Sequence, residues 1–365
     1  ETISCYRQAI DRGSLDAMYN LGHFYQYTSP NYPLMKRFYQ MVIDHVISPQ
    51  SLSPPPQQSR KVILLSSTVN NLGIYYDDIE KNGQLAKDFY LQAVSYGNST
   101  AMYNLAIHCL DKDNDEISCQ KYYLMSIDAG NVTAMNNYAI YCQEHLGDYP
   151  QTKKYLQQAA DLGSLSALHN LGYYYQYIEF DEKQAEIYYQ QAIENNHVPT
   201  ILDFAYFYLF VQPNYSLAEK YYHKAVKLDI PEAMNHLGYF YTVIKPNPDL
   251  AEKLYLQAVN KKYVLAYYNL GEFYQFIKPN KSQAIVYYLQ AIKYGYSHAI
   301  QRLEIFEYSL LEIYQMLQRS GLDDQHNPLQ DNYDVKEYER KLKEDSLCDS
   351  CPRCYQNDVL IPLTC

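Results

Sequence analysis

Apolar positions in this chain return at helical spacing, and the whole pattern then repeats. Ala167, Leu171, Tyr174 and Tyr175 fall near i, i+4, i+7 and i+8, and Ala185, Tyr188, Tyr189, Ala192 and Ile193 fall at i, i+3, i+4, i+7 and i+8. Each set is the apolar stripe of an amphipathic helix, which strand alternation does not fit. The first stretch, Ala-Met-Tyr-Asn-Leu-Gly-x-Phe/Tyr-Tyr, begins at Ala17 and recurs from Ala101, Ala134, Ala167, Ala233 and Ala266, with worn copies from Thr68, Thr200 and Ala299. From Thr68 onward the starts are 33 residues apart, and the step of 51 from Ala17 to Thr68 is one repeat plus an 18-residue insertion. The second stretch, Ala-x-x-Tyr-Tyr-x-x-Ala-Ile, follows at a fixed offset, as at Ala185, Ala218, Ala251 and Ala284. Each unit is therefore a pair of helices.

The punctuation agrees. Pro30-Asn31, Pro213-Asn214, Pro246-Asn247 and Pro279-Asn280 sit between the two helices, where proline ends one and a polar residue caps the next. Gly13, Gly97, Gly130, Gly163 and Gly295 follow the second helix, where a left-handed C-cap favours glycine. Gly22, Gly172, Gly238 and Gly271 fall inside the first helix, at about 1 kcal/mol each relative to Ala. A cost repeated at one register predicts close helix approach, with a tyrosine filling the space opposite.

Helix pairs that cannot bury their faces alone stack on their neighbours. The expected fold is all-α, a right-handed α-solenoid over residues 1–319 with an insertion loop at 48–61 and a capping helix at 299–319. A linker with a short helix (320–345) and a cysteine-rich tail (346–365) follow. The chain opens inside a second helix, so Glu1 is not expected to be the natural start.

The unit running from Ala266 through Ala284 to Gly295 resembles the Sel1-like repeat, a relative of the tetratricopeptide repeat. The eight-residue step from Ala291 to Ala299 through Gly295 is similar to the Sel1 junction, whereas the inter-helix loop is shorter and lacks that family's Gly-x-Gly. Ankyrin shares the period, but its Thr-Pro-Leu-His phrase is absent. The resemblance covers about residues 1–310. It implies a scaffold for protein–protein interaction presenting a concave surface to peptides or proteins, and it implies no chemistry.

Composition narrows the partners. The 365 residues carry a formal charge of -11 and no basic stripe, which argues against a phosphate-backbone binder. No apolar run is long enough to span a bilayer, and no basic-then-apolar leader opens the chain, so a cytoplasmic protein without nucleic-acid or membrane partners is expected. Tyr is 44 and Trp 0 because the same tyrosine-bearing stretches are written repeatedly; pairs such as Tyr188-Tyr189 and Tyr221-Tyr222 sit at core register. The histidines share no metal-binding spacing, and the Gly-x-Ser-x-Gly, Gly-Lys-Ser/Thr and Gly-x-Gly-x-x-Gly motifs are absent. The proline run Pro54-Pro55-Pro56 in the insertion has polyproline II character.

Two features carry candidate sites. The fourth residue of the first stretch is Asn20, Asn71, Asn104, Asn137, Asn170 and Asn269, with Asp203, His236 and Arg302 in the remaining slots. Asparagine is a poor mid-helix residue. Its recurrence fits a ladder of amides that grips an extended peptide, or amides that tie one repeat to the next. Few Lys or Arg accompany the ladder, which disfavours a clamp for acidic C-termini.

The second feature is the tail. Cys351-x2-Cys354, followed by Cys365, resembles the first half of a RING-type zinc finger. The resemblance places Cys351 and Cys354 at one zinc ion and Cys365 at a second, whose remaining ligands would lie beyond Cys365. Alternatively, Cys348 closes a local all-thiolate site with the other three. Zinc is the expected cofactor only with the motif complete. A complete RING finger would make the chain the substrate-recognition part of an E3 ubiquitin ligase, partnered by a ubiquitin-conjugating enzyme; the chain itself shows no catalytic constellation.

Overall fold

The computed structural model describes residues 2–47, 59–306, 308, 312–313 and 315–316, and the regular structure among them is helical throughout. The chain divides into two compact units, Glu1–Thr200 and Ile201–Cys365. The first opens with a second-type helix, Thr2–Asp11, followed by the hairpins Leu15–His23/Tyr32–Ile47, Arg60–Asp78/Gly83–Ser95, Ser99–Asp111/Glu116–Asp128, Val132–Tyr141/Tyr149–Asp161 and Leu165–Tyr177/Glu182–Glu194. The helix Val198–Tyr206 leads into the second unit and pairs with Tyr215–Lys227; Pro231–Tyr239/Pro248–Asn260, Val264–Glu272/Lys281–Lys293 and Ala299–Ile305 follow. Within each unit a helix packs on its hairpin partner and on the adjacent repeat, as stacked repeats must.

Side chains at fixed registers start these helices. Asn82, Asp115, Asp148, Asp181, Asn214, Asn247 and Asn280 each accept a hydrogen bond from the backbone N–H three residues on, capping the second helices. Ser14, Asn98, Asn131 and Ser164 do the same for first helices. The residue before each of these four is the expected left-handed glycine, with φ between 79° and 89°. Asn196, Asp229 and Lys262 take the same left-handed backbone at that register without being glycine.

The loop between the two helices is built in two ways at one register. Lys81, Asn114 and Phe180 adopt φ of 55°, 50° and 53° after an α-helix. Proline cannot adopt positive φ. Ahead of Pro30, Pro213, Pro246 and Pro279 the first helix instead widens into a π-turn, at Phe24–Thr28, Phe207–Val211, Phe240–Ile244 and Phe273–Ile277. Gly147 combines the two, with a π-turn at Cys142–Leu146 and φ of 62°. Every variant closes on the same bond from the capping residue to the carbonyl six residues back, as in Asn82 N to Tyr76 O (2.8 Å) and Asn247 N to Tyr241 O (2.7 Å).

The helical glycines meet the expected tyrosines. A Cβ on Gly22, Gly172 or Gly271 would lie 2.5–2.6 Å from the ring of Tyr39, Tyr189 or Tyr288, and 2.9 Å from Tyr255 at Gly238. Gly73 and Tyr90 form the same pair. Those rings are the largest fully buried groups in the core, apart from Tyr90, which is 3% exposed.

Two boundaries differ from expectation. Residues 48–58 of the insertion lie outside the described residues, but helix Arg60–Asp78 already includes Lys61 and is capped by Ser59. The capping helix is interrupted: Ala299–Ile305 ends in a turn at Phe306 that sets Phe306 and Tyr308 against Lys281, with the ammonium 5.3 and 5.9 Å from the ring centres. Beyond Gln315 and Met316, the linker, the short helix and Cys348, Cys351, Cys354 and Cys365 lie outside the described residues.

Candidate binding face

Five of the six ladder asparagines spend an amide N–H on the preceding repeat. Asn104 donates to Asn70 (2.9 Å), Asn137 to the Tyr103 hydroxyl (2.9 Å), Asn170 to Asn136 (2.9 Å) and Asn269 to Asn235 (2.8 Å). Asn71 donates to the hydroxyls of Tyr39 (3.1 Å) and Tyr19 (3.3 Å). The acceptor is the residue before the ladder slot one repeat earlier, with Tyr39 of the second helix as an additional acceptor. Asn20, in the first copy, is exposed. In the last copy Arg302 repeats the tie, reaching the Tyr268 hydroxyl (3.0 Å) and the Glu272 carboxylate (2.6 Å).

Three and seven residues beyond the ladder slot, on the same face of the first helix, stand side chains that sequence reasoning had assigned to packing or passed over. In the first unit these include His23 with Tyr27 and Tyr173 with Tyr177, their rings 4.7 and 4.5 Å apart. In the second unit they are Tyr206 with Phe210, rings 4.6 Å apart, then Tyr239 with Val243, and Glu272 with Phe276. Phe210, Val243 and Phe276 are 37–45% exposed, and Tyr27 is 51% exposed. Counting i, i+3 and i+7 from each ladder slot would have found this stripe.

The face is accessible and yet poorly hydrated. Burial raises the hydroxyl pKa of Tyr27, Tyr103, Tyr206 and Tyr239. Asp203 and Glu232 are both exposed at the surface, but desolvation pushes the Asp203 carboxyl up to about 6 and raises that of Glu232, with Asp203 adding a smaller repulsion to the latter. Desolvation pushes His236, at the ladder slot, and His169, beside it, down to about 4.

No group of three or more His, Cys, Asp or Glu among the described residues is arranged to hold a metal ion. No helix among them is long and apolar enough to cross a membrane. Cys109, Cys119 and Cys142 are free thiols in the core, with burial raising the pKa of each. These are inert packing groups.

No curated protein matches this chain. Among solved structures it is similar to a Sel1 repeat protein from Oxalobacter formigenes, at 17% identity over 83% of this chain and 90% of that one, with a TM-score of 0.56. It is also similar to a protective antigen of uropathogenic Escherichia coli displaying an SLR fold, at 16% identity over 86% of this chain and 69% of that one, with a TM-score of 0.52. At such identities the likeness is one of fold. The Sel1 repeat itself matches residues 15–28, 68–98, 99–131, 132–164, 165–197, 204–230, 231–263 and 264–296. These segments make up more than half of the sequence, and the chain belongs to the Sel1 repeat family.

Proposed function

We propose that this chain is a protein-interaction module, and that the first-helix face of its repeats holds an extended segment of a partner protein. The observation that carries this reading is the pairing of exposure with desolvation at the ladder slot and its i+3 and i+7 neighbours. Apolar and aromatic groups such as Tyr27, Phe210, Val243 and Phe276 stand in water there, at a register that carries the acids Asp78, Asp111 and Glu144 in the repeats between. Covering such groups yields roughly 25 cal/mol per Å2 of apolar area, and rigid aromatic rings supply contact area at low entropic cost. Repeat proteins offer extended surfaces of this kind. The amide row supports the face from below, holding one repeat against the next so that the spacing of the stripe is fixed.

Selection of peptides from a random display library against the whole chain, followed by fluorescence anisotropy, tests the reading. Selected peptides should lose about tenfold in affinity with Phe210→Ser, equivalent to about 1.4 kcal/mol. They should be indifferent to Ile187→Ser, which changes an exposed residue on a second helix. Equal loss from both substitutions, or loss from Ile187→Ser alone, would move the binding surface elsewhere.

A further inference from the structure

The edge formed by the C-terminal ends of the second helices carries opposite charge in the two units. The last residue of the second helix is Asp128, Asp161 and Glu194 in three successive repeats of the first unit, and Lys227, Asn260 and Lys293 in the second. Lys224 lies one turn before Lys227, and Lys262 follows Asn260. A helix C-terminus is partially negative, so it favours lysine and opposes a carboxylate. An opposed choice made three times running is not explained by the helices themselves. All three acids are exposed. Asp161 and Glu194 accept from Gln157 (2.9 Å) and Gln190 (2.8 Å) one turn back. Among the described residues no cation pairs with the three acids, and no carboxylate pairs with Lys224, Lys227, Lys262 or Lys293. Lys261, on the same edge, is taken by Asp229. The whole units follow the same division: 13 Lys and Arg against 21 Asp and Glu in residues 1–200, a formal -8, and 11 against 8 in residues 201–306, a formal +3.

The acidic edge also has a shape. A cleft of about 510 Å3 opens there, lined by Asp128 and Asp161 together, with Ile127, Met135, Tyr155 and Leu162 as apolar walls. Lys154 lines it too, its ammonium drawn over the Tyr155 ring at 5.0 Å from the centre, so the cleft keeps a net negative charge. Leu162 is 60% exposed. The lysine edge has exposed apolar groups of its own, Leu228 directly after Lys227 and Tyr294 directly after Lys293, at 48% and 41%. One edge thus sets apolar groups among acids, and the other sets them among lysines. Because both units are built from the same repeat, the step from one charged position to the next is the same along each.

We propose that the partner of the acidic edge is the lysine edge of a second copy of this chain. Lys227 and Lys293 of one copy stand against Asp128, Asp161 and Glu194 of the other, and Leu228 and Tyr294 cover Leu162 and the apolar walls of the cleft. Exposed ion pairs are individually weak. The apolar contact therefore supplies the affinity, and the charges decide which edges meet. Like edges repel, which excludes pairing of acidic with acidic or lysine with lysine. The contact uses second helices, so it is separate from the first-helix face that holds a partner segment, and either can fail without the other.

Sedimentation equilibrium of the whole chain tests it. Self-association is expected at low ionic strength, weakening about tenfold or more in about 0.5 M salt. Lys227→Glu with Lys293→Glu should leave the chain monomeric, as should Asp128→Lys with Asp161→Lys, and mixing these two variants should restore a complex. Each substitution installs the sign that the same helix position carries in the other unit, so the fold accommodates it. Lys121→Glu with Lys253→Glu makes the same change of charge two turns before the edge and should leave self-association intact. A monomeric unmodified chain at low salt overturns the proposal. So do association that survives either edge reversal, failure of the two variants to combine, and equal loss in the Lys121 and Lys253 control.

Discussion

Lysine and acid exchange places between the two units at one repeated junction. In the first unit the second helix carries the lysine and the next repeat's inter-helix loop carries the acid: Lys36 with Glu80 (3.2 Å), Lys87 with Asp113 (2.6 Å) and Lys153 with Glu179 (2.8 Å). In the second unit the helix carries the acid and the loop the lysine: Glu219 with Lys245 (3.0 Å) and Glu252 with Lys278 (2.7 Å). A tyrosine of the following first helix serves either arrangement. Lys153 sits over the Tyr175 ring, 4.8 Å from its centre, whereas the Tyr241 and Tyr274 hydroxyls donate to Glu219 and Glu252. The stacking geometry therefore fixes where a charged pair stands and leaves its sign free.

The units share the glycine–tyrosine contact, and a methyl group measures how tightly each is drawn. Gly172→Ala brings Cβ to 2.5 Å from the Tyr189 ring, and Gly238→Ala to 2.9 Å from Tyr255. Neither ring can swing aside, because both are buried. Overpacking of this kind costs about 1–3 kcal/mol, offset in part by about 1 kcal/mol of helix propensity. Urea denaturation should show a net loss for both variants, larger for Gly172→Ala. Ala106 and Ala205 occupy the same register opposite Tyr123 and Tyr222, so equal and negligible losses would mean that the spacing adapts freely.

Acid should destabilise each unit through one histidine. His169 and His236 take a proton at about pH 4 in the fold and near 6.5 when unfolded. Their neutral form therefore contributes stability that is fully present above pH 6.5 and is lost as pH falls from 6.5 toward 4. Both rings retain some access to solvent, which limits the loss to about 1 kcal/mol each. His169→Asn and His236→Asn place the residue common at those registers and should flatten the stability curve between pH 7 and 5. Asp203 works in the opposite direction, since its folded carboxyl binds a proton at about 6 and its unfolded one near 3.8. Asp203→Asn should steepen the same curve in the second unit. An unchanged curve in all three variants would show the face to be fully hydrated.

The loops offer a smaller contrast. Phe180 holds a left-handed backbone at φ 53° with its ring 79% exposed, whereas Pro213 at the same register of the next repeat follows a π-turn. Left-handed backbone costs a bulky residue about 1–2 kcal/mol. Phe180→Gly should thus raise the melting temperature by an amount equivalent to about 1 kcal/mol, while Pro213→Gly should lower it by a similar or smaller amount through the unfolded chain. The same sign for both would break the account of the two loops.

Much of the fold was legible in the sequence because repetition averages out local noise. The 33-residue period, the helix pair, the glycine caps and the glycine–tyrosine contact all recur often enough to be read. Asn196, Asp229 and Lys262 escaped because a non-glycine residue gives no local sign of left-handed backbone when its neighbours dictate it. The π-turns escaped because proline specifies what φ is forbidden and not how the preceding turn widens. At the candidate face the asparagines drew attention first, yet five of them are spent between repeats. The accessible stripe lies three and seven positions further on, among tyrosines and phenylalanines that look like core in a chain so rich in them. The unpartnered Tyr222 hydroxyl follows from one lost acceptor, Leu209 where Gln26, Gln176 and Gln275 stand in other repeats, which is visible only once a hydroxyl is known to point there.

The charge inversion gives the smallest effect and the cleanest control. Lys153→Glu sets a carboxylate against Glu179 across a junction where both side chains are over a third exposed or nearly so. Exposed pairs contribute about 0.2–1 kcal/mol, so a loss near 0.5 kcal/mol is expected, shrinking as salt screens the repulsion. Glu179→Lys alone sets two lysines together and should cost a similar amount. The double exchange recreates the sign order of Glu219 and Lys245, and Tyr175 sits at the register of Tyr241, with a hydroxyl that can donate to the new acid. It should therefore recover most of the stability lost in either single variant. Additive losses in the double-mutant cycle would mean that the sign of each junction is set by surroundings beyond the pair. Recovery would mean that the pair alone sets it.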